Sequence, residues 1–287
     1  MARVVLVHGI GQQFTGPESM LAGWLPPLRD GLTLAGAPTL LSAEDVAAAF
    51  YGDLFRPPGR PLGSDGSPPY TAADVTAAEA DLLMLWWAEA ATVDPAVVSP
   101  DARTLARTPR SVQAALRALA GSAFFAGLSV RMMVADLKQV ARYFADADTR
   151  QEVGARLRAR IGPETAVVIA HSLGSVVAYE ALCAEPDHGV RALVTLGSPL
   201  GIPNVVFDRL VPGPVGGLGR WPGGAGLVWT NIADQGDVVA LVKDLRVGFG
   251  PKVRGHLVDN GTHAHAVSSY LSAPQAGAAV AAGLQDT

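Results

Sequence analysis

The sequence predicts an α/β protein with a doubly wound, mainly parallel sheet, and two observations carry this prediction. First, short apolar runs rich in valine, isoleucine and leucine recur along the chain without alternating polar residues. Such runs are typical of parallel strands that helices cover on both faces. Second, helical patterns separate several of these runs, and an alternation of strand and helix produces a doubly wound sheet. The runs are Val4–Val7, Val167–Ala170, Ala192–Leu196, Leu227–Ile232 and, more weakly, His256–Val258.

Three segments between the strands have helical spacing. Leu173–Glu185 is one of them, and it ends before Pro186, since a proline disfavours a helical conformation at the residue before it. Leu128–Ala145 and Thr149–Ile161 are the others. The stretch Asp45–Leu54 has room for one further strand.

A helical insertion interrupts this alternation. Arg56–Pro69 is dense in proline and glycine and predicts a loop, whereas Tyr70–Ala91 and Ala102–Gly127 have helical patterns. We therefore divide the chain into an α/β core, residues 1–56 and 129–287, and a helical insertion, residues 57–128.

The insertion either caps a site as a lid or merely flanks the sheet, and its sequence favours neither interpretation. The apolar stretch Ala118–Val130 fits a lid that contacts an acyl chain. Ordinary helix packing explains the same apolar character more simply.

The composition indicates a large core and argues against several classes of partner. Of the 287 residues, 49% are hydrophobic and 17% are charged, and the net charge is −4. No block rich in lysine or arginine is present, which disfavours nucleic acid and anionic membranes as partners. The one cysteine, Cys183, permits neither an internal disulfide nor a thiolate metal site. The oligomeric state is left open.

The apolar segments are too short for secretion or membrane insertion. The first run, Val4–Val7, is shorter than the apolar part of a signal peptide. The longest uncharged apolar stretch, Ala118–Val130, falls below the roughly 20 residues that a membrane span needs. We therefore expect a cytoplasmic protein with no stable membrane insertion.

One strand leads through a turn of small residues into a helix, and this feature has the clearest chemical content. Val167–Ala170 is followed by His-Ser-Leu-Gly, which fits G-x-S-x-G with alanine at the first small position. Such a sharp turn exposes the serine Oγ, and the N–H after it stabilises negative charge. Ser172 is therefore the candidate nucleophile. The alternative is that Ser172 is an ordinary helix N-cap.

The first strand also ends in a glycine-containing loop. Val4–Val7 is followed by His-Gly-Ile-Gly. Acyl transfer through a serine needs two N–H donors aimed at the oxyanion of the tetrahedral intermediate. Leu173, directly after the nucleophile, and Ile10 in this loop are the candidates. The same glycines do not complete G-x-G-x-x-G, because Gln12, Gln13 and Phe14 follow them, so a dinucleotide site is not predicted.

With these motifs the chain resembles the α/β-hydrolase superfamily, near the bacterial lipase and esterase branch that carries HG-x-G and A-H-S-x-G. The matches span residues 4–11, 167–200 and 227–271 and leave the insertion uncovered. The resemblance implies an α/β-hydrolase fold, Ser172 as nucleophile, and Ile10 and Leu173 as oxyanion donors. It also implies an acid after a later strand, a histidine near the C-terminus, and no metal or organic cofactor.

The acid that the resemblance implies follows the strand Leu227–Ile232, where two aspartates lie in one loop. Asp237 stands in Gly-Asp-Val-Val, which is similar to the acid loop of the family, and it is the favoured candidate. Asp234 competes with it and has an alternative role as a turn-forming side chain. Asp259 also follows a strand but lies too close to the histidine loop.

The base is expected in the segment Thr-His-Ala-His that leads into a helix near the end of the chain. The family often places its histidine just before such a helix, which favours His265 over His263. Histidine titrates near neutral pH, as a general base should. The His-x-His pair also fits a metal site, but no third histidine or acidic cluster accompanies it, so metal binding is disfavoured.

Together these residues predict a serine hydrolase that cleaves a carboxylic ester, lipase-like or esterase-like, by two-step acyl transfer. The expected partner is a small-molecule acyl substrate of apolar character. The same triad serves thioesterases, amidases, peptidases and acyltransferases, and the residues do not separate these activities. A non-catalytic interaction protein on the hydrolase fold is the alternative from another class. Its motivation is the tryptophan-rich insertion and the low charge content.

Overall fold

The computed structural model describes residues 2–56, 59, 68–100, 109–121 and 129–285. In this part of the chain six strands form one sheet in which every neighbouring pair is parallel, and helices lie on both faces. The prediction of an α/β protein with a parallel sheet is therefore confirmed. The strands are β1 (Val4–Val7), β2 (Val46–Ala49), β3 (Val167–His171), β4 (Ala192–Leu196), β5 (Val228–Asp234) and β6 (Arg254–Val258).

The helices occupy the connections between the strands and the segment after the last strand. They are α1 (Pro17–Leu34), α2 (Ala77–Val93), α3 (Pro109–Ala120), α4 (Val130–Ala145), α5 (Ala147–Arg158), α6 (Leu173–Ala184), α7 (Arg246–Phe249), α8 (Val267–Ser272) and α9 (Pro274–Leu284). Among the described residues, none of these helices combines the length and the apolar character that crossing a bilayer requires.

Strand β1 is apolar at every position because both of its faces are buried. Val4 and Leu6 belong to a core cluster with residues of α1, α8 and α9. Val5 and Val7 belong to the opposite cluster, which contains residues of α4, α5 and α6. Successive side chains of a strand point to opposite faces, so burial on both sides produces an uninterrupted apolar run.

The strand order places a crevice between β1 and β3. The sheet runs β2-β1-β3-β4-β5-β6, so the chain leaves β1 toward one edge and leaves β3 toward the other. The connections that follow these two neighbouring strands therefore diverge. In parallel sheets such a divergence, at the carboxyl ends of the strands, is where sites form.

The sequence patterns did not predict α1, which contains Pro26 and Pro27 in its interior. A proline inside a helix removes a backbone hydrogen bond, but burial of the apolar side of α1 favours the helix. The structure also shows where other expectations fall. The predicted loop at Arg56–Pro69, the helix at Ala102–Gly127 and the lid stretch Ala118–Val130 lie partly outside the described residues.

Candidate active site

The turn between β3 and α6 holds Ser172 in a backbone conformation that side-chain-bearing residues rarely adopt. Its φ is 54° and its ψ is −131°. The Ser172 N–H donates to the Leu196 carbonyl at 3.0 Å, and the Ser172 carbonyl accepts from the Ser175 N–H at 2.9 Å. The Ser172 side chain makes no hydrogen bond that caps α6, so an ordinary N-cap role does not account for this serine. Strained backbone of this kind concentrates at functional sites.

The loop after β1 lies directly against this turn. A methyl group added at Gly9 would lie 2.6 Å from Ser172 Cβ and 3.0 Å from its Oγ. One added at Gly174 would lie 2.3 Å from the His8 carbonyl oxygen. Any residue larger than glycine would push the two segments apart. The close approach of the two segments therefore explains why both motifs have glycine at these positions.

His8 fixes the start of this loop. The Tyr51 N–H donates to His8 Nε2 at 3.1 Å, so Nδ1 carries the ring proton and donates to the Gly9 carbonyl at 2.7 Å. The Tyr51 hydroxyl donates to the His8 carbonyl. Burial lowers the pKa of His8 to about 4, and the ring is therefore neutral at physiological pH.

Gln139 on α4 fixes the other end of the same loop. Its Oε1 accepts from the Gly11 N–H at 3.3 Å, and its side chain is buried. Ile10 therefore lies between two residues whose backbone groups are held by buried side chains. Sequence patterns did not identify Gln139, because only the fold brings α4 to the loop after β1.

The structure brings Asp237 and His265 together. Asp237 Oδ2 accepts from His265 Nδ1 at 2.7 Å and from the Tyr270 hydroxyl at 2.7 Å. Asp237 Oδ1 accepts from the N–H groups of Val239, at 2.8 Å, and Ala240, at 3.3 Å. The Asp237 side chain is fully buried and that of His265 is 12% exposed.

This environment keeps Asp237 ionised. Burial alone raises the pKa of the Asp237 carboxyl, but the adjacent His265, the Tyr270 hydroxyl and the Val239 N–H outweigh it and lower that pKa to about 2. A carboxylate can only accept, so His265 carries its neutral-state proton on Nδ1 and has its lone pair on Nε2.

The two competing residues have other surroundings. Asp234 Oδ1 accepts from the Gly236 N–H at 2.7 Å, a contact that closes a local turn, and its Oδ2 accepts from the Asn260 N–H at 2.5 Å. The His263 side chain is exposed. The assignment of Asp237 and His265 as acid and base stays a prediction, but theirs is the pair that the geometry joins.

The turn after β4 connects Ser172 with this pair. Leu196 binds the Ser172 N–H, and the next residue, Gly197, has a φ of +55°. A methyl group at Gly197 would lie 2.8 Å from Asp237 Oδ2 and 3.0 Å from His265 Nδ1. Only glycine combines this conformation with so close an approach. Gly197 and Tyr270 support the site and were not singled out from the sequence.

An apolar cavity of about 30 Å³ lies beside Ser172. Ile10 and Leu173, the two candidate oxyanion donors, line it together with Ser172. Trp86 of α2 and Val140 of α4 also contribute to its wall. The rest of the lining comes from Pro199, Ile202, Val205, Val206 and Val239.

No group of three or more histidine, cysteine, aspartate or glutamate side chains that would hold a metal ion occurs within the described ranges. Comparisons of the chain with protein-family models, with curated proteins and with solved structures found no match.

Proposed function

We propose that this protein is a serine hydrolase of the α/β-hydrolase type that cleaves carboxylic esters. The observation that carries the proposal is the arrangement around the turn after β4. On one side of that turn lies Ser172 in its strained conformation, and on the other lies the buried Asp237–His265 pair.

Acylation begins when His265 Nε2 takes the proton of Ser172 Oγ as this oxygen attacks the ester carbonyl. Asp237 holds the required tautomer and stabilises the imidazolium. The N–H groups of Ile10 and Leu173 bind the oxyanion of the tetrahedral intermediate. Its collapse breaks the ester C–O bond, and the leaving alkoxide takes the proton from His265.

Deacylation repeats these steps with water. His265 removes a proton from the water molecule, the resulting hydroxide attacks the acyl-enzyme carbonyl, and Ser172 Oγ leaves with the proton of His265. The products are a carboxylic acid and an alcohol. Neither step requires a metal or an organic cofactor.

The cavity supports a short, apolar acyl group as the substrate portion beside Ser172. Its walls are apolar, and its volume of about 30 Å³ is that of roughly one water molecule or methyl group. Trp86 belongs to the helical insertion, which supports a capping role for residues 57–128. We infer that acetyl esters fit without displacing this helix.

Labelling with a fluorophosphonate tests the nucleophile. We expect the wild-type protein to be labelled on Ser172 and to hydrolyse p-nitrophenyl acetate. Ser172→Ala should lose both properties while its circular dichroism stays unchanged. Ser198→Ala is the matched control, because Ser198 is a buried serine at the same edge of the sheet whose Oγ is bonded to Ser175.

A panel of p-nitrophenyl esters, thioesters and anilides then separates ester hydrolysis from the other activities of such a triad. The absence of labelling and turnover in a folded wild-type protein would contradict the proposal and favour a non-catalytic role.

A further inference from the structure

His171, the residue directly before Ser172, lies against the candidate base. Its Nε2 is 2.9 Å from the carbonyl oxygen of His265, and the two imidazole rings are 4.5 Å apart between centroids. Ser172 lines the cavity, whereas His171, the last residue of β3, contacts the His265 carbonyl. The same two consecutive residues thus contact the cavity and the base.

The protonation state of His171 follows from its surroundings. A carbonyl oxygen can only accept a hydrogen bond. His171 Nε2 therefore carries a proton and donates a hydrogen bond to the backbone carbonyl of His265. Burial, followed by the proximity of His265, lowers the pKa of His171 to about 3. The ring is therefore neutral, and it adds no positive charge beside a histidine that becomes a cation during catalysis.

Aromatic contacts fix the orientation of the His171 ring. Trp24 meets it edge-on with centroids 6.1 Å apart, and the Tyr270 ring lies 6.1 Å away. Tyr270 also donates to Asp237, so both histidines and the acid belong to one packed group. A buried, oriented donor of this kind restricts the backbone of the residue to which it binds.

We propose that His171 is a positioning residue for His265, because its Nε2–H holds the His265 carbonyl and thereby sets the imidazole relative to Ser172. The inference rests on the proposed serine hydrolase function. On this inference His171, the last residue of β3, helps to set the distance from the nucleophile Ser172, its covalent neighbour, to the base His265.

Two substitutions separate the donor from the ring. His171→Gln keeps an N–H donor at a similar reach, whereas His171→Phe keeps an aromatic ring and removes the donor. With p-nitrophenyl acetate we expect His171→Phe to lower kcat by about 10- to 100-fold with KM nearly unchanged, since a displaced base slows the reaction at a given substrate occupancy. His171→Gln should restore most of kcat. His256→Gln, at an exposed histidine, is the control and should match wild type.

A spectroscopic measurement distinguishes positioning from a general effect on folding. We expect the His265 Nδ1 proton, which is hydrogen-bonded to Asp237, to give a downfield NMR signal in the unliganded protein that is lost in His265→Gln. We expect this signal to shift or broaden in His171→Phe and to stay at the wild-type position in His171→Gln. Melting temperatures identify variants that fail to fold. If His171→Phe does not fold, His171→Asn replaces it, because the asparagine side chain is too short for its N–H to reach the His265 carbonyl.

The outcomes are distinct. A perturbed His265 signal in the donor-less variant supports the positioning role even if no ester is hydrolysed, in which case the proposed function alone fails. An unchanged signal together with a wild-type kcat overturns the inference.

Discussion

The two sides of the cavity are built differently. On the sheet side the carboxylate of Asp237, the proposed acid, is fixed by four hydrogen bonds, from Val239, Ala240, His265 and Tyr270. On the helical side, α2 and α4 contribute the apolar side chains of Trp86 and Val140. Directional bonds hold groups in one geometry, whereas apolar contacts tolerate changes of shape. Substitutions on the sheet side should therefore change the rate, and those on the helical side should change which substrates fit.

Of the substitutions considered, replacement of Asp237 should have the largest effect on kcat. In Asp237→Asn the side chain can donate to His265 Nδ1, which favours the tautomer that lacks a lone pair on Nε2. We expect kcat for p-nitrophenyl acetate to fall by about 10⁴-fold, with folding retained. Asp234→Asn, at the end of β5 and three residues before Asp237, is the matched control, and its kcat should stay within about tenfold of wild type. Equal losses in the two variants would contradict the assignment of Asp237.

Acidification should destabilise the fold through groups on the sheet side. The buried histidines lie on that side, whereas residues 57–128 contain no histidine. The pKa of His171 falls from an ordinary 6.5 to about 3, and that of His8 falls to about 4. Between pH 6.5 and these values the unfolded chain binds protons that the folded chain does not. The contribution of each of these histidines to the free energy of unfolding should therefore decrease on acidification, by up to about 1.4 kcal/mol per pH unit, whereas burial raises the pKa of Asp136 to about 7 and acts in the opposite direction.

Urea unfolding at pH 7, 6 and 5 measures this dependence. His171→Gln should show a smaller loss of stability on acidification than wild type, by up to about 1.4 kcal/mol per pH unit. His256→Gln, which removes an exposed histidine, should behave as wild type does. Identical slopes for wild type and His171→Gln would show that the buried ring is not the group that titrates.

The smallest expected effect concerns the helical side, where Trp86 limits the size of the cavity. Trp86→Leu enlarges the cavity, so butyrate esters should improve relative to acetate esters by about fourfold for each additional methylene that becomes buried. The ratio of kcat/KM values for the two esters gives this preference. Trp87→Leu is the matched control on the same helix, since Trp87 is buried outside the cavity lining and should change stability without changing the ratio.

The sheet was predictable from the sequence because its signal is local. Nearly continuous apolar runs mark β1, β3 and β4 at or near their observed ends, since burial on both faces disfavours polar residues at most positions. The helix α1 was not predictable in this way. Pro26 and Pro27 oppose helix locally, and most of the helix packing that outweighs them comes from α8 and α9, more than 200 positions away.

The site divides along the same line. Ser172 follows from a pattern within one strand and one turn, but the choice of Asp237 over Asp234 depends on side chains that the fold brings together. Tyr270 shows this most clearly, because its hydroxyl donates to Asp237 and accepts from the Asp234 N–H at 2.8 Å. No local spacing indicates a role for it. Composition and motif likewise give no information on Gln139, whose partner Gly11 is distant in sequence.

The packing of α1 against α8 and α9 has a consequence for how the protein is made. Helix α1 is synthesised early, but the helices that cover its apolar side follow β6, and α8 also carries Tyr270. A chain growing on a ribosome therefore presents Ser172 long before its base and the support of its acid exist. On the proposed function, the growing chain has no complete triad, and hydrolytic activity is among the last properties that it acquires.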